Sequence, residues 1–289
     1  MPGDPGPLVR RRQVGSTLRR YRTDAGLSVR EVAEALLCSA AKISRIETAQ
    51  RPPTLRDVRD LCNLYKVSES VRAQLMKLAA ESRETAWWQQ FSLDPSLEKY
   101  VGLEGSATEI SDYQNSVIPG LLQTREYATA ILRAWIPDDS TALAETVEVR
   151  MRRQHLLGSR TSLHIVIDEG ALRRSVGGTE VMRSQFKRLL ELGDEPSLDM
   201  RIIPFSAGAH KGTTGGFTVL RFSENEPGHT EPGLSDVVYL ESVSGGLYID
   251  QPGEVARYVD IFRELRATAL TKADAKRFLE SIHSEVDSP

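Results

Sequence analysis

Cysteine is scarce, with Cys38 and Cys62 the two in 289 residues. That excludes a disulfide-built scaffold, and both positions read as small buried hydrophobes of one N-terminal domain, a redox pair being the lesser alternative. No apolar run approaches the roughly 20 residues of a membrane helix. The opening stretch MPGDPGPLVRRR places its prolines first and no apolar core after its arginines, so no secretory leader and a cytoplasmic location are expected. The histidines His155, His164, His210, His229 and His283 show no HExxH or comparable spacing, and there is neither a GxSxG elbow nor a P-loop. The expectation is therefore a non-enzyme with no metal and no cofactor.

Charge is unevenly spread. The net charge is −3, yet residues 1–80 carry a balance of +7 and residues 81–289 one of −10. The length allows two domains and this asymmetry argues for them, with the positive half suited to phosphate.

The positive half contains LSVREVAEALLCSAAKISRIETAQRPP, residues 27–53, which reads as helix, tight turn, helix and stop. Ser28 and Glu31 have the spacing of a capping box, and Leu27 and Val32 that of a hydrophobic staple. Val29, Val32, Ala33 and Leu36 recur at helical spacing. Ser39 caps a second helix whose inward residues are Ile43 and Ile46, and Pro52 with Pro53 stops it. Facing outward are Ala40, Ala41, Lys42, Ser44 and Arg45, small or basic side chains suited to the floor of a DNA major groove.

From about residue 13 to residue 67 the chain resembles the phage-repressor-like (XRE) five-helix helix-turn-helix domain. The resemblance rests on Leu27-Ser28-Val29-Arg30-Glu31-Val32-Ala33 and on Lys42-Ile43-Ser44-Arg45-Ile46-Glu47-Thr48-Ala49-Gln50-Arg51-Pro52. Val29 stands where the family often has a phosphate-bonding glutamine, and Ala40 and Ala41 occupy the leading recognition positions. Base readout then falls to Lys42, Ser44 and Arg45, with the alanine methyls available to thymine methyl groups. Arg30 and Arg51 would position the DNA backbone. The resemblance also implies a structural pair between Arg22 and Glu47.

Around this motif the chain divides into a flexible basic arm (1–12), the helix-turn-helix domain (13–82), a junction holding Trp87 and Trp88 (83–99) and a second domain (100–289). Arg10, Arg11 and Arg12 are either a solvated run at a helix start or an arm on the phosphates. A first helix over 13–25 closes at Gly26, Thr54 caps a helix and Ser68 opens another. The tryptophans read as packing residues rather than a ligand cage.

In the second domain, 108–113 and 124–135 are helical in pattern, 140–157 is a longer helix, and Thr179 caps another. Strands are expected at 163–167, 198–203, 217–222, 237–241 and 246–249, the last two joined as a hairpin, with helices over 252–269 and 272–286. Helices precede, interrupt and follow the strands, so the class is α+β with a small mixed sheet. Asp168 and Glu169 read as a helix cap and partners of Arg173 or Arg174. The stretch SAGAHKGTTGG, 206–216, is either a long mobile connection or an anion cradle assisted by His210 and Lys211.

Several segments, among them Tyr100-Val101-Gly102-Leu103-Glu104, Val117-Ile118-Pro119-Gly120-Leu121-Leu122-Gln123-Thr124, Arg152-Arg153-Gln154 and Asp168-Glu169-Gly170-Ala171-Leu172-Arg173-Arg174, make this domain similar to the C-terminal, antitoxin-like effector domain of actinobacterial WhiJ-type two-domain regulators. The resemblance implies a transcriptional regulator paired with a small acidic partner protein encoded nearby. The expected function is sequence-specific binding of double-stranded DNA, by a homodimer on an inverted repeat, with a C-terminal domain that senses a ligand or protein. The alternative is an antitoxin-like protein that neutralises the partner and autoregulates its operon.

Overall fold

The computed structural model describes residues 6–84, 86–137, 140–222, 235–243 and 245–287. By contact the chain divides into two units: described residues up to Trp87 belong to the first, and Trp88–Arg221 with the described residues from Ser235 on to the second.

The first unit holds α1 (Pro7–Asp24), α2 (Val29–Ala35), α3 (Ala40–Glu47), α4 (Leu55–Leu64) and α5 (Glu69–Glu81). Their boundaries follow from local chemistry. Gly26, at φ +69°, closes α1; the Ser28–Glu31 box opens α2; Ser39 caps α3 by accepting the Lys42 N–H; and a Thr54–Asp57 box opens α4. The residues one past the caps of α2, α3 and α4 are Leu37, Ala49 and Lys66, all left-handed at φ 50°, 58° and 55°. Glycine ordinarily holds such positions. The core gathers Val14, Leu18, Val32, Ile43, Ile46, Val58, Leu61, Cys62 and Leu75, with Cys38 packed at its margin.

The expected arm differs. Pro7 is the first residue of α1, where its fixed φ and missing N–H are tolerated, so residues 7–12 are helical. Arg10 is buried and paired with Glu81 at 3.3 Å and Glu84 at 3.4 Å. It fastens α1 to α5 and is not a phosphate contact. Residues 1–5 lie outside the described residues.

The second unit begins with a 3-10 turn, Trp87–Gln90, at its border, followed by α6 (Pro95–Glu104), β1 (Glu109–Gln114), α7 (Arg125–Leu132), α8 (Thr141–Arg153), β2 (Ser162–Asp168), α9 (Glu169–Arg173), α10 (Thr179–Leu192), β3 (Leu198–Ile203), β4 (Phe217–Arg221), β5 (Val237–Leu240), β6 (Leu247–Ile249), α11 (Pro252–Thr268) and α12 (Lys272–Asp287). The strands form one sheet of order β3-β2-β1-β4-β5-β6. β1, β2 and β3 run parallel, while β4, β5 and β6 continue antiparallel, β5 and β6 as the expected hairpin. The class is α+β. No described helix is long and apolar enough to cross a membrane.

Residues 108–113, expected to be helical, instead supply β1, paired with both β2 and β4. Helix α6 occupies part of the expected junction: Asp94 caps it, accepting the N–H groups of Ser96 and Leu97, with Pro95 as first helical residue. Gly178, at φ 89°, rather than Thr179, holds the N-cap of α10.

Beside β1 lies a buried polar network. Arg153 donates to both oxygens of Glu104 at 2.7 Å and lies 5.0 Å from the Tyr100 ring centroid. Asp112 accepts from Gln114 at 2.9 Å and from Thr218 at 3.0 Å. Burial pushes the Asp112 carboxyl up to about 6, the two hydrogen bonds opposing it. Buried glutamines fasten the neighbouring 118–124 segment, Gln185 bridging Thr124 N–H and Leu122 C=O, and Gln123 bonding Ile118 C=O.

Candidate nucleic-acid interface

Helix α3 is built from its buried side outward. Ile43, Ile46 and Glu47 point into the domain, and Glu47 meets Arg22 of α1 in a bidentate pair, Nε to Oε1 at 2.6 Å and Nη2 to Oε2 at 3.0 Å. Arg22 also donates to Leu27 C=O at 2.7 Å, joining α1, the α1–α2 turn and α3. The Glu47 hydrogen bond, outweighing desolvation, holds the Arg22 guanidinium above its ordinary value. Gly15 of α1 completes the seat: a Cβ there would stand 2.5 Å from Ile46 C=O and 2.8 Å from Glu47 C=O. These backbones touch because glycine has no side chain. Sequence reasoning missed Gly15, whose signal was a glycine inside a helical pattern.

The opposite side of α3 presents Ala40, Ala41, Ser44 and Arg45, all exposed. Their spacing places them on one face. Arg45 lies along the helix, Nε donating to Ala41 C=O at 3.1 Å. Arg30 and Arg51 are exposed, and the Arg51 N–H bonds back to Arg45 C=O at 3.0 Å, tying the segment after α3 to its last turn.

Lys42 stands differently from its neighbours. It is half-buried, and its ammonium reaches Asp57 of α4 at 2.5 Å. Burial pushes the Asp57 carboxyl up, but Lys42 and the Thr54 hydrogen bonds outweigh it and hold that carboxyl below the usual range. Sequence reasoning placed Lys42 among the outward readers and passed over Asp57, whose signal was Thr-x-x-Asp at a helix start.

In the second unit the two side chains of the 206–216 anion-cradle alternative each meet a carboxylate. His210 accepts the Gly212 N–H on Nδ1 at 3.3 Å, and its Nε2 stands 3.2 Å from Asp168. Lys211 pairs with Glu264 at 2.7 Å. The connection from β3 to β4 contains two 3-10 turns, Phe205–Ala207 and Lys211–Thr214. Asp168 caps α9 through Gly170 N–H, and Glu169 pairs with Arg173 while accepting Phe205 N–H at 2.7 Å, as a cap and ion-pair partner should. Among the described residues no cluster of three His, Cys, Asp or Glu is placed to hold a metal. An open groove of about 600 Å³ between α9, α10 and α12 has Leu172, Met182, Phe186 and Ile282 in its lining, with Arg173 and Arg183. Nothing in the sequence pattern pointed to it.

Two comparisons bear on this arrangement. Residues 13–75 match a family described as helix-turn-helix domain, and residues 97–281 match a family described as domain of unknown function DUF5753. No curated protein and no solved structure matches the chain.

Proposed function

The chain belongs to the family defined by domain of unknown function DUF5753, with a helix-turn-helix domain preceding it, and from that premise we propose a sequence-specific transcriptional regulator of the WhiJ type its sequence resembles. The helix-turn-helix match supports DNA binding in general. The observation that carries the specific reading is the division of α3 into a side locked by Arg22, Glu47 and Gly15 and a side where Ala40, Ala41, Ser44 and Arg45 stand exposed.

In this reading α3 enters the major groove. Arg45 is the base reader, Ser44 assists, the alanine methyls pack on thymine methyls, and Arg30 and Arg51 hold phosphates. The protein acts as a homodimer on an inverted repeat whose half-sites lie about 34 Å apart, one helical turn. The second unit is the controlling half, and the groove between α9, α10 and α12 is where we place a small ligand; its lining is mixed, with apolar Leu172, Met182, Phe186 and Ile282 beside Arg173, paired with Glu285, and Arg183, paired with Glu180. A small acidic protein partner is the other occupant that the family resemblance offers.

Selection from a randomised duplex library with the full chain tests the reading. A two-fold-symmetric motif is expected; absence of enrichment at low salt refutes it.

A further inference from the structure

On the face assigned to DNA, the lysine of the recognition helix is already engaged. Lys42 Nζ donates to Asp57 Oδ1 at 2.5 Å, with the side chains 28 % and 11 % exposed. Asp57 cannot follow the lysine outward. Its Oδ2 accepts the Thr54 N–H at 3.0 Å, and its own N–H donates to Thr54 Oγ1 at 3.0 Å, so the carboxylate is part of the cap that starts α4. Both side chains line a groove of about 310 Å³ on this unit, beside Leu37, Arg51 and Arg56. A lysine on a flexible stem is a mobile point charge that takes any phosphate, whereas the arginine fork demands geometry. Sequence-independent affinity comes from such phosphate contacts.

Resting on the DNA-binding reading above, we propose that Asp57 is a specificity-setting positioning residue. It holds the Lys42 ammonium against α4, away from the phosphates, and so leaves discrimination to Arg45, Ser44 and the alanine methyls. Losing it frees a cation that strengthens binding to every sequence alike.

The test uses the full chain as wild type, Asp57→Asn, Asp57→Glu, Lys42→Met and the Lys42→Met/Asp57→Asn double variant. Binding to a duplex of arbitrary sequence and to the selected operator is followed by fluorescence anisotropy across a salt series. Asp57→Asn is expected to steepen the log–log salt slope on arbitrary DNA by about 0.9, one further phosphate neutralised, and to narrow the operator-to-arbitrary affinity ratio. Asp57→Glu restores the wild-type slope. Lys42→Met alone moves that slope by well under 0.9, and in its background Asp57→Asn no longer steepens it.

The proposal is overturned if Lys42→Met alone flattens the slope by the full amount, because the lysine is then already on a phosphate. It is equally overturned if Asp57→Asn steepens the slope as much in the Lys42→Met background, because Asp57 then acts as a bare charge. Should Asp57→Asn unfold the domain, the Lys42→Met slope still decides. Wild-type chain that binds no duplex at the lowest salt refutes the DNA-binding reading itself; wild-type binding with either overturning result refutes only the role of Asp57.

Discussion

Replacing Gly15 by alanine sets two physical effects against each other. In an unconstrained helix interior alanine is favoured over glycine by about 1 kcal/mol. Here the added methyl would lie 2.5 Å from Ile46 C=O and 2.8 Å from Glu47 C=O, about 1 Å inside an ordinary carbon contact. Both obstacles are backbone, and neither can rotate away. Ile46 C=O also accepts the Ala49 N–H at 3.1 Å, so the last turn of α3 cannot yield without breaking its own termination. Overpacking costs about 1–3 kcal/mol where side chains can adjust; against backbone the upper end applies, leaving a net loss of about 2 kcal/mol after the helix-propensity gain. For a domain of this size that lowers the melting temperature by about 8–16 °C. Calorimetry of the full chain would measure it, and hydrogen exchange at the α3 amides would assign it to this unit. DNA affinity should fall as well, because α3 is seated by that contact. An unchanged or raised melting temperature would show that α1 and α3 are not in backbone contact at Gly15, and the account of how α3 is held would be wrong.

Leu37 is left-handed and 95 % exposed, so Leu37→Gly removes a conformational cost of about 1–2 kcal/mol and adds about 0.5–1 kcal/mol of glycine entropy; urea melts should show a gain of about 0.5–1 kcal/mol. Arg45→Ala should cost about 1–3 kcal/mol of operator binding and relax preference at one position, and a footprint identical to wild type would sink the docking of α3. Burial raises Asp112 to about 6 against an ordinary 3.8, so the folded chain keeps a proton that the unfolded chain releases between those values. The stability Asp112 contributes should then decline as pH rises from about 4 to 6 and level off above, by up to about 3 kcal/mol; the difference between wild type and Asp112→Asn in pH-resolved denaturation curves measures it. Arg153→Met leaves Glu104 buried without its partner and should cost about 3–5 kcal/mol, whereas the Arg153→Met/Glu104→Leu pair should recover much of it.

What could be read from the sequence was what local chemistry decides. The caps at Ser28 and Ser39, the αL stop at Gly26 and the strands β2 to β6 announce themselves through side chains within a few residues, and the Arg22–Glu47 pair followed from the resemblance. The failures have a shared cause. Pro7 lies in the expected flexible arm and Pro95 in the expected junction, yet both open helices, because proline suits the first position of a helix. In β1, Ile110 and Tyr113 stand three apart and imitate a helical stripe, while Ser111 and Asp112 between them are buried as well. A strand covered on both faces, with polar residues facing a buried charge network, shows no alternation to detect. The same limit applies to Lys42: its type and position suggested an outward reader, and only a carboxylate fifteen residues on, brought close by the fold, turns it aside.

The pairing of β1 with β4 has a temporal side. Arg221 and Glu109, neighbours across that pair, are separated by 112 positions, whereas the contacts of the first unit, including those of α1 with α5 such as Arg10 with Glu81, are all made by segments that precede α6. During synthesis, segments emerge in order and local contacts close fastest. The surface assigned to nucleic acid is therefore finished while the centre of the sheet still lacks its antiparallel neighbour. For that interval a nascent chain carries its helix-turn-helix domain without the completed sheet, and any premature stop between the two would leave it so permanently.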